Sequence, residues 1–302
     1  MHGIRNTIRN IVGINHVVSY ILYNLASITK IKMNTKNYTS LLYLWDKRTL
    51  YLGPLFEPIR MKNGAGSIAF SLTGTFKVKG AGTSNFAECK SFLVPPGASF
   101  TVFTGDSIIA NCMLDVMGLD YAVLFQQMRQ QGNNQKKHIS FEIKDEQVYI
   151  LKLQELYRNQ YSWKVAEDEI DQLLTPSRHL LRIRRKIDPR VEKVVAYIKA
   201  NITENVSIDL LAKEVNISAP HLVKIFKAQI GVPIRRYRLW HRLFVASAIL
   251  AKSGNLTTAA LSAGFSDAPH FLHTFRDVLG MRASLLLNQP NKISIITQPE
   301  SE

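Results

Sequence analysis

Residues 207–231 read SIDLLAKEVNISAPHLVKIFKAQIG. Ser207 stands at a helix N-cap position, where its side-chain oxygen accepts a backbone N–H that the first helical turn leaves without a partner. Ile208, Leu211, Ala212 and Val215 then recur on one face. Asn216-Ile217-Ser218 supplies a turn in which Ile217 plugs the corner and Ser218 caps a second helix, with Leu222, Ile225 and Phe226 at helical spacing. Gly231 stops that helix. Pro220, His221, Val223, Lys224 and Lys227 are left on the outward side. Two short helices about a tight turn, the second with a polar outer face, form a helix-turn-helix unit, which lays its second helix in the major groove of DNA.

A second stretch repeats the plan. Residues 256–280 read LTTAALSAGFSDAPHFLHTFRDVLG. Thr257 and Thr258 open a helix carrying Ala259, Ala260 and Leu261, Gly264-Phe265 makes the turn, and Ser266 or Asp267 caps a helix built on Phe271, Phe275 and Leu279. Ala268, Pro269, His270, His273, Thr274 and Arg276 fall outward. A helix from Ile234 to Lys252 joins the units, with Tyr237, Leu243, Ala246 and Leu250 inward and Arg235, Arg236, Arg238 and Arg242 among its charges. One such unit is weak evidence, but two held apart by a rigid basic spacer predict a domain that reads duplex DNA at two places.

Residues 188–287 resemble the DNA-binding domain of the AraC/XylS family of bacterial transcription regulators. The resemblance rests on Leu211-Ala212-Lys213-Glu214-Val215, Ser218 to Phe226, Gly231-Val232-Pro233, Tyr237, Arg242-Leu243, Ala246, Leu250, Gly264-Phe265-Ser266-Asp267, His270-Phe271, Phe275-Arg276 and Gly280. It implies an all-α domain whose two recognition helices enter successive major-groove segments on one side of the duplex, about one helical turn apart. Implied partners are double-stranded DNA and RNA polymerase. The chain departs from the family pattern at Ala283, where proline is usual, at Leu287, where arginine is usual nearby, and at Ala259, where a large aliphatic residue is usual. These departures imply a looser end to the domain or fewer DNA contacts.

The expected DNA-facing set is therefore Ser218, Pro220, His221, Val223, Lys224, Lys227, Ser266, Asp267, Pro269, His270, His273, Thr274 and Arg276. Lys224 is expected to touch phosphate or base. Phe226, Phe271 and Phe275 are expected in the core, with no direct DNA role. His221, His270 and His273 sit on two separate units without Cys or carboxylate partners at ligand spacing, so no metal and no cofactor is expected.

Charge agrees with a polyanionic partner. The 302 residues carry a formal net charge of +15, and Lys and Arg that neutralise phosphates release condensed counterions. An acidic membrane surface would satisfy the same charge. Two cysteines, Cys89 and Cys112, exclude a disulfide-framed secreted fold and fit a reducing cytoplasm, each expected as a small buried hydrophobe.

The amino terminus has two readings. Arg5 and Arg9 precede an apolar run from Ile11 to Leu25, but Asn15, His16, Ser19 and Asn24 interrupt it, without a clean small-residue cleavage site or the length to span a bilayer. Either residues 1–32 lie upstream of a native start at Met33, or they form an amphipathic segment that touches a membrane.

From Tyr51 to Asp120 the pattern turns to strands: Ser67 to Leu72, Phe76 to Lys79, Ser91 to Val94, Ser99 to Phe103 and Ile108 to Val116. Gly80-Ala81-Gly82, Pro95-Pro96-Gly97 and Gly105-Asp106 separate them. This predicts a small antiparallel barrel or sandwich. Its place ahead of the helical units, and Leu93-Val94-Pro95-Pro96-Gly97, resemble the cupin-like regulatory domain of many AraC-type proteins. A metal-dependent cupin enzyme would need histidine ligands, and no histidine lies between Tyr51 and Asp120. An interior lined by Phe70, Leu72, Phe76, Phe92, Phe100 and Phe103 suits either a small apolar effector or a filled core.

Helical patterns return at Tyr121 to Gln131, Val148 to Tyr161 and Glu167 to Leu174, where the resemblance implies dimer contacts and the plainer reading is that the helices simply cover the barrel. The expected layout is an α+β chain. It comprises a leader at 1–32, a cupin-like β-barrel regulatory and dimerisation domain with helices at 33–175, a basic linker at 176–187, the DNA-binding domain at 188–287 and a disordered tail at 288–302. The expected function is a cytoplasmic DNA-binding transcription regulator, an activator and no enzyme. The competing reading is a nonenzymatic interaction protein whose degenerate helical domain binds protein or membrane.

Overall fold

Apolar runs without polar alternation mark strands covered on both faces. Several appear in the computed structural model, which describes residues 39–45, 48–55, 58–62, 64–81, 83–115, 117, 120–130, 138–174, 187–279 and 293–298. The strands are β1 Ser40–Trp45, β2 Arg48–Pro54, β3 Ile59–Lys62, β4 Gly66–Ser71, β5 Phe76–Gly80, β6 Ala87–Cys89, β7 Ser91–Val94, β8 Ser99–Phe103, β9 Ile108–Leu114, β10 Met128–Gln130, β11 Ser140–Ile143 and β12 Ile293–Ile296. One eight-stranded sheet runs β10-β11-β7-β4-β9-β2-β1-β12, and a four-stranded sheet runs β3-β8-β5-β6.

The two sheets share a core. Leu42, Leu44, Ala69, Phe92, Val94, Ile109 and Met113 of the larger sheet meet Ile59, Phe76, Val78, Phe100 and Val102 of the smaller. Phe92 meets Phe76 edge-on at 5.1 Å and Phe100 at 5.9 Å. Alternate residues of the larger sheet, Leu41, Tyr43, Leu50, Leu52, Ile68, Phe70, Ala110 and Cys112, pack against helices α1 Asp120–Gln127, α2 Glu146–Asn159 and α3 Trp163–Leu174. Arg48, buried on the larger sheet, pairs with Asp120 at 2.5 Å and with Asp171, fastening α1 and α3 to it. Because this sheet is covered on both faces, β1 and β2 carry the unbroken apolar runs LLYLW and LYLG.

The fold is α+β with two open sheets face to face, rather than a closed barrel. The six residues expected to line one interior divide accordingly. Phe76, Phe92 and Phe100 fill the space between the sheets, Phe70 and Leu72 lie on the helix-covered face, and Phe103 stays 40% exposed beside Phe86. The period of two along a strand is the reason, since Phe70 and Ala69 must point oppositely. Cys89 and Cys112 are buried, and burial pushes both thiols up to about 12.

The expected disordered tail is corrected in part. Residues Ile293–Ile296 form β12, parallel to β1 with Ser40 opposite Ile293 and Tyr43 opposite Ile296. Ile293 is buried, so its hydrophobic gain and the edge hydrogen bonds of β1 outweigh the local polarity around it. The leader, the linker at 176–186, Ala283 and Leu287 lie outside the described residues. Among the described residues no helix is long and apolar enough to cross a membrane.

The core between the sheets continues without a break into the helical part of the chain, through Val194, Phe226, Tyr237, Trp240, Leu243 and Phe271. At the seam, Gly97 stands so close to Gly231 that a Cβ on it would lie 2.8 Å from the Gly231 carbonyl oxygen. Lys199 Nζ also reaches Asp115 Oδ2 at 3.0 Å.

Candidate nucleic-acid interface

Helix α4, Pro189–Ala200, leads into the first unit. Asp188 caps it, accepting from the Arg190 backbone N–H at 2.9 Å. The Arg190 side chain, with that backbone bond, holds the Asp188 carboxyl down at about 2. Helix α5, Ile208–Glu214, is capped as expected by Ser207, whose Oγ accepts from the Leu210 N–H at 3.1 Å. Ile208, expected inward, is 38% exposed. Asn216 takes a left-handed turn at φ 54°, and helix α6, Ala219–Ile230, begins under the Ser218 cap. Leu222, Phe226 and Ile230 are buried. Pro220, His221, Val223, Lys224 and Lys227 are all exposed on the outer face, with no carboxylate among them.

The second unit holds its helices differently. Helix α8, Leu256–Ser262, starts just ahead of Thr257 and Thr258 under an Asn255 cap: Asn255 Oδ1 accepts from the Thr258 N–H at 2.9 Å. Ala259, small where the family is large, is fully buried beside Ala260. Helix α9, Ala268–Leu279, starts at Asp267, whose Oδ1 accepts from the His270 N–H at 2.6 Å. Ser266 Oγ donates to Asp267 Oδ2 at 2.9 Å and lies 3.1 Å from His270 Nδ1. The His270 N–H and then the Ser266 hydroxyl hold the Asp267 carboxyl below the usual carboxylate range. Pro269, His270, His273 and Arg276 are exposed, and Ala268 is half-buried.

Thr274 departs from the expected set. It is 6% exposed, inside the stripe formed by Phe271, Phe275 and Val278. The spacing carries the reason: Thr274 is three residues after Phe271 and four before Val278, so the helix turns it inward with them.

Between the units, α7, Ile234–Ser253, buries Tyr237, Trp240, Leu243, Ala246 and Leu250. Arg242 is also buried, at 5% exposure, rather than displayed as a surface charge. Its Nε donates to Ile202 O at 2.8 Å and its Nη1 to Gly264 O at 2.8 Å. Its Nη2 is shared among Thr203 O at 3.2 Å, Glu204 O at 2.9 Å and Asn205 Oδ1 at 3.0 Å. Arg238 donates to Val206 O at 2.8 Å and Arg236 to Asp277 O at 3.2 Å. Burial lowers the affinity of Arg242 for its proton, and the Arg238 charge adds to that. Its inward place is written in the spacing, since Arg242 adjoins Leu243 and precedes Ala246 by four.

A family profile described as a helix-turn-helix domain matches residues 211–289. Those residues form a helix-turn-helix domain. Among curated relatives, the HTH-type transcriptional regulator GbdR of Pseudomonas aeruginosa is 28% identical over 122 residues, 40% of this chain and 32% of that protein. The HTH-type transcriptional regulator ArgR of the same species is 33% identical over 94 residues, 31% of this chain and 29% of that protein. The chain thus matches about a third of the length of these relatives. Among solved structures, ToxT from Vibrio cholerae superposes with a TM-score of 0.51 at 14% identity, covering 83% of this chain and 98% of that one. That likeness spans the sheets as well as the helices and shows the shared fold.

Proposed function

We propose that this AraC-type protein binds duplex DNA sequence-specifically, reading two successive major-groove segments with α6 and α9, and activates transcription in the cytoplasm with RNA polymerase as a partner. The observation that carries this is the pair of capped helices with exposed outer faces, Pro220, His221, Val223, Lys224 and Lys227 on one and Pro269, His270, His273 and Arg276 on the other, mounted on one spacer helix. In this reading Lys224, Lys227 and Arg276 neutralise phosphates, while the histidines and Val223 face base edges. Ser218, Ser266 and Asp267 order the helix N-termini, where backbone N–H groups approach phosphate. Thr274 supports α9 from within.

The regulatory input is a small apolar effector or a second copy of the chain. Aromatic rings already fill the space between the sheets, so an effector bound there must displace Phe76, Phe92 or Phe100. Size measurement across a concentration series reports pairing of two copies.

The decisive experiment selects duplexes from a random library with the full chain and measures affinity against salt. The expected product holds two segments about 10 base pairs apart, bound at least roughly 10³-fold tighter than random duplex. Equal affinity for selected and random duplex would favour the interaction-protein reading instead. A promoter fusion that loses expression when the gene is removed supports activation; gained expression makes the protein a repressor.

A further inference from the structure

The two reading units are connected twice. The covalent connection is α7, flanked by left-handed glycines: Gly231, which ends α6, at φ 86°, and Gly254, which ends α7 itself, at φ 64°. The apolar face of this helix packs on both units. The polar contacts that tie the second unit to the loop ahead of the first meet at Arg242. Its guanidinium binds four consecutive residues, Ile202 to Asn205, just ahead of the first unit, and the carbonyl of Gly264 in the turn of the second. The same turn rests on the same loop directly: a Cβ at Gly264 would stand 2.4 Å from Thr203 O, a separation that only glycine permits. The planar guanidinium presents its N–H donors in a fixed fork, which a lysine ammonium does not reproduce.

We propose that Arg242 is the positioning residue that fixes the rotation and offset between α6 and α9, and so selects the spacing of the two DNA segments the protein accepts together. The inference rests on the DNA-reading function above. Two heads on a rigid frame gain an effective local concentration only when the sites match the frame, and they lose that gain when geometry forbids joint engagement. Each inserted base pair moves the second segment by about 3.4 Å and rotates it by about 35°. A frame stapled at Arg242 discriminates against such shifts, whereas a frame held by its apolar contacts alone yields to them more readily.

The test uses the full chain and three kinds of duplex: the selected duplex, the same duplex with one or two base pairs inserted between segments, and duplexes with one segment scrambled. Wild type is expected to lose about tenfold or more on a single insertion. Arg242→Lys is expected to bind the selected duplex about tenfold more weakly, to lose most of its preference over the inserted duplexes, and to keep single-segment affinity within about twofold. Asn205→Ala removes one acceptor from an exposed loop position and should shift the preference in the same direction by a smaller factor. It decides the matter if the lysine variant does not fold by circular dichroism. A uniform loss on every duplex, with spacing preference intact in the folded variants, would overturn the positioning role and leave Arg242 a plain stabilising residue. A wild-type chain that shows no selectivity at all would instead bring down the DNA-reading function, and this inference with it.

Discussion

The first and second helix-turn-helix units end their leading helices in the same way and fill the critical position differently. In the first, the Ile217 N–H returns to Ala212 O at 3.1 Å and Asn216 is left-handed; in the second, the Phe265 N–H returns to Ala260 O at 3.0 Å and Gly264 is left-handed. Both are the reversed hydrogen bond that closes a helix with an apolar residue just beyond it. Asn216 is exposed, and asparagine tolerates that backbone; Gly264 lies against the Thr203 backbone, where any Cβ would collide. The turn residue therefore reports how closely another chain segment approaches. The recognition helices both open on Ala-Pro-His, at 219–221 and 268–270, and then diverge in charge. Helix α6 adds Lys224 and Lys227 without an acid, whereas on α9 Arg276 adjoins Asp277, which also lies 3.5 Å from His273 Nδ1.

If the units share one core, their central phenylalanines should be equivalent. Phe226→Ala and Phe271→Ala each empty a fully buried site and should each cost about 3–5 kcal/mol, read as a single urea transition displaced by similar amounts. A second transition in either variant would show that one unit melts by itself and would break the comparison.

The turn glycines separate strain from collision. Gly254→Ala meets open space, so it should cost only the left-handed backbone penalty of about 1–2 kcal/mol, while Gly264→Ala should cost clearly more in the same thermal melts. Equal shifts would deny the close approach to Thr203. The caps should differ less: Ser218→Ala and Asp267→Ala are each expected to lower stability by about 1 kcal/mol.

Charge sharpens the contrast last. Lys224→Ala should reduce the slope of log affinity against log salt by about one unit, as expected for one lost phosphate contact. Arg276→Ala should reduce it by less, because Asp277 already offsets part of that charge. Fluorescence anisotropy over a salt series measures both, and equal changes would place the two helices on the same electrostatic footing.

The helical units were legible in the sequence because their signals are local. A cap, a turn and an apolar stripe lie within 25 residues, and Ser207, Ser218 and Gly231 stand where the spacing puts them. Strands bounded by Gly and Pro, such as Ser91–Val94 and Ser99–Phe103, were equally plain. The strands β1 and β2 were not, because burial on both faces erases the alternation that marks a strand. Thr274 reads as outward on its polarity, although its spacing turns it inward. Arg242 reads only as one of the helix's charges, because its acceptors, nearly forty residues upstream and 22 downstream, are not visible from the helix alone.

The parallel pairing of β12 with β1 also bears on how the chain is made. Synthesis proceeds from the amino terminus, so the larger sheet waits with an open edge until the ribosome has finished both helix-turn-helix units. An open edge is a template for pairing with another chain. A premature stop between residues 287 and 293 would therefore spare the exposed faces of α6 and α9 and still release a product inclined to assemble edge to edge. The unit of inheritance here is the whole chain: its sheets cannot be exchanged as a block through a single joint ahead of the helical units, because their last strand follows those units in the sequence.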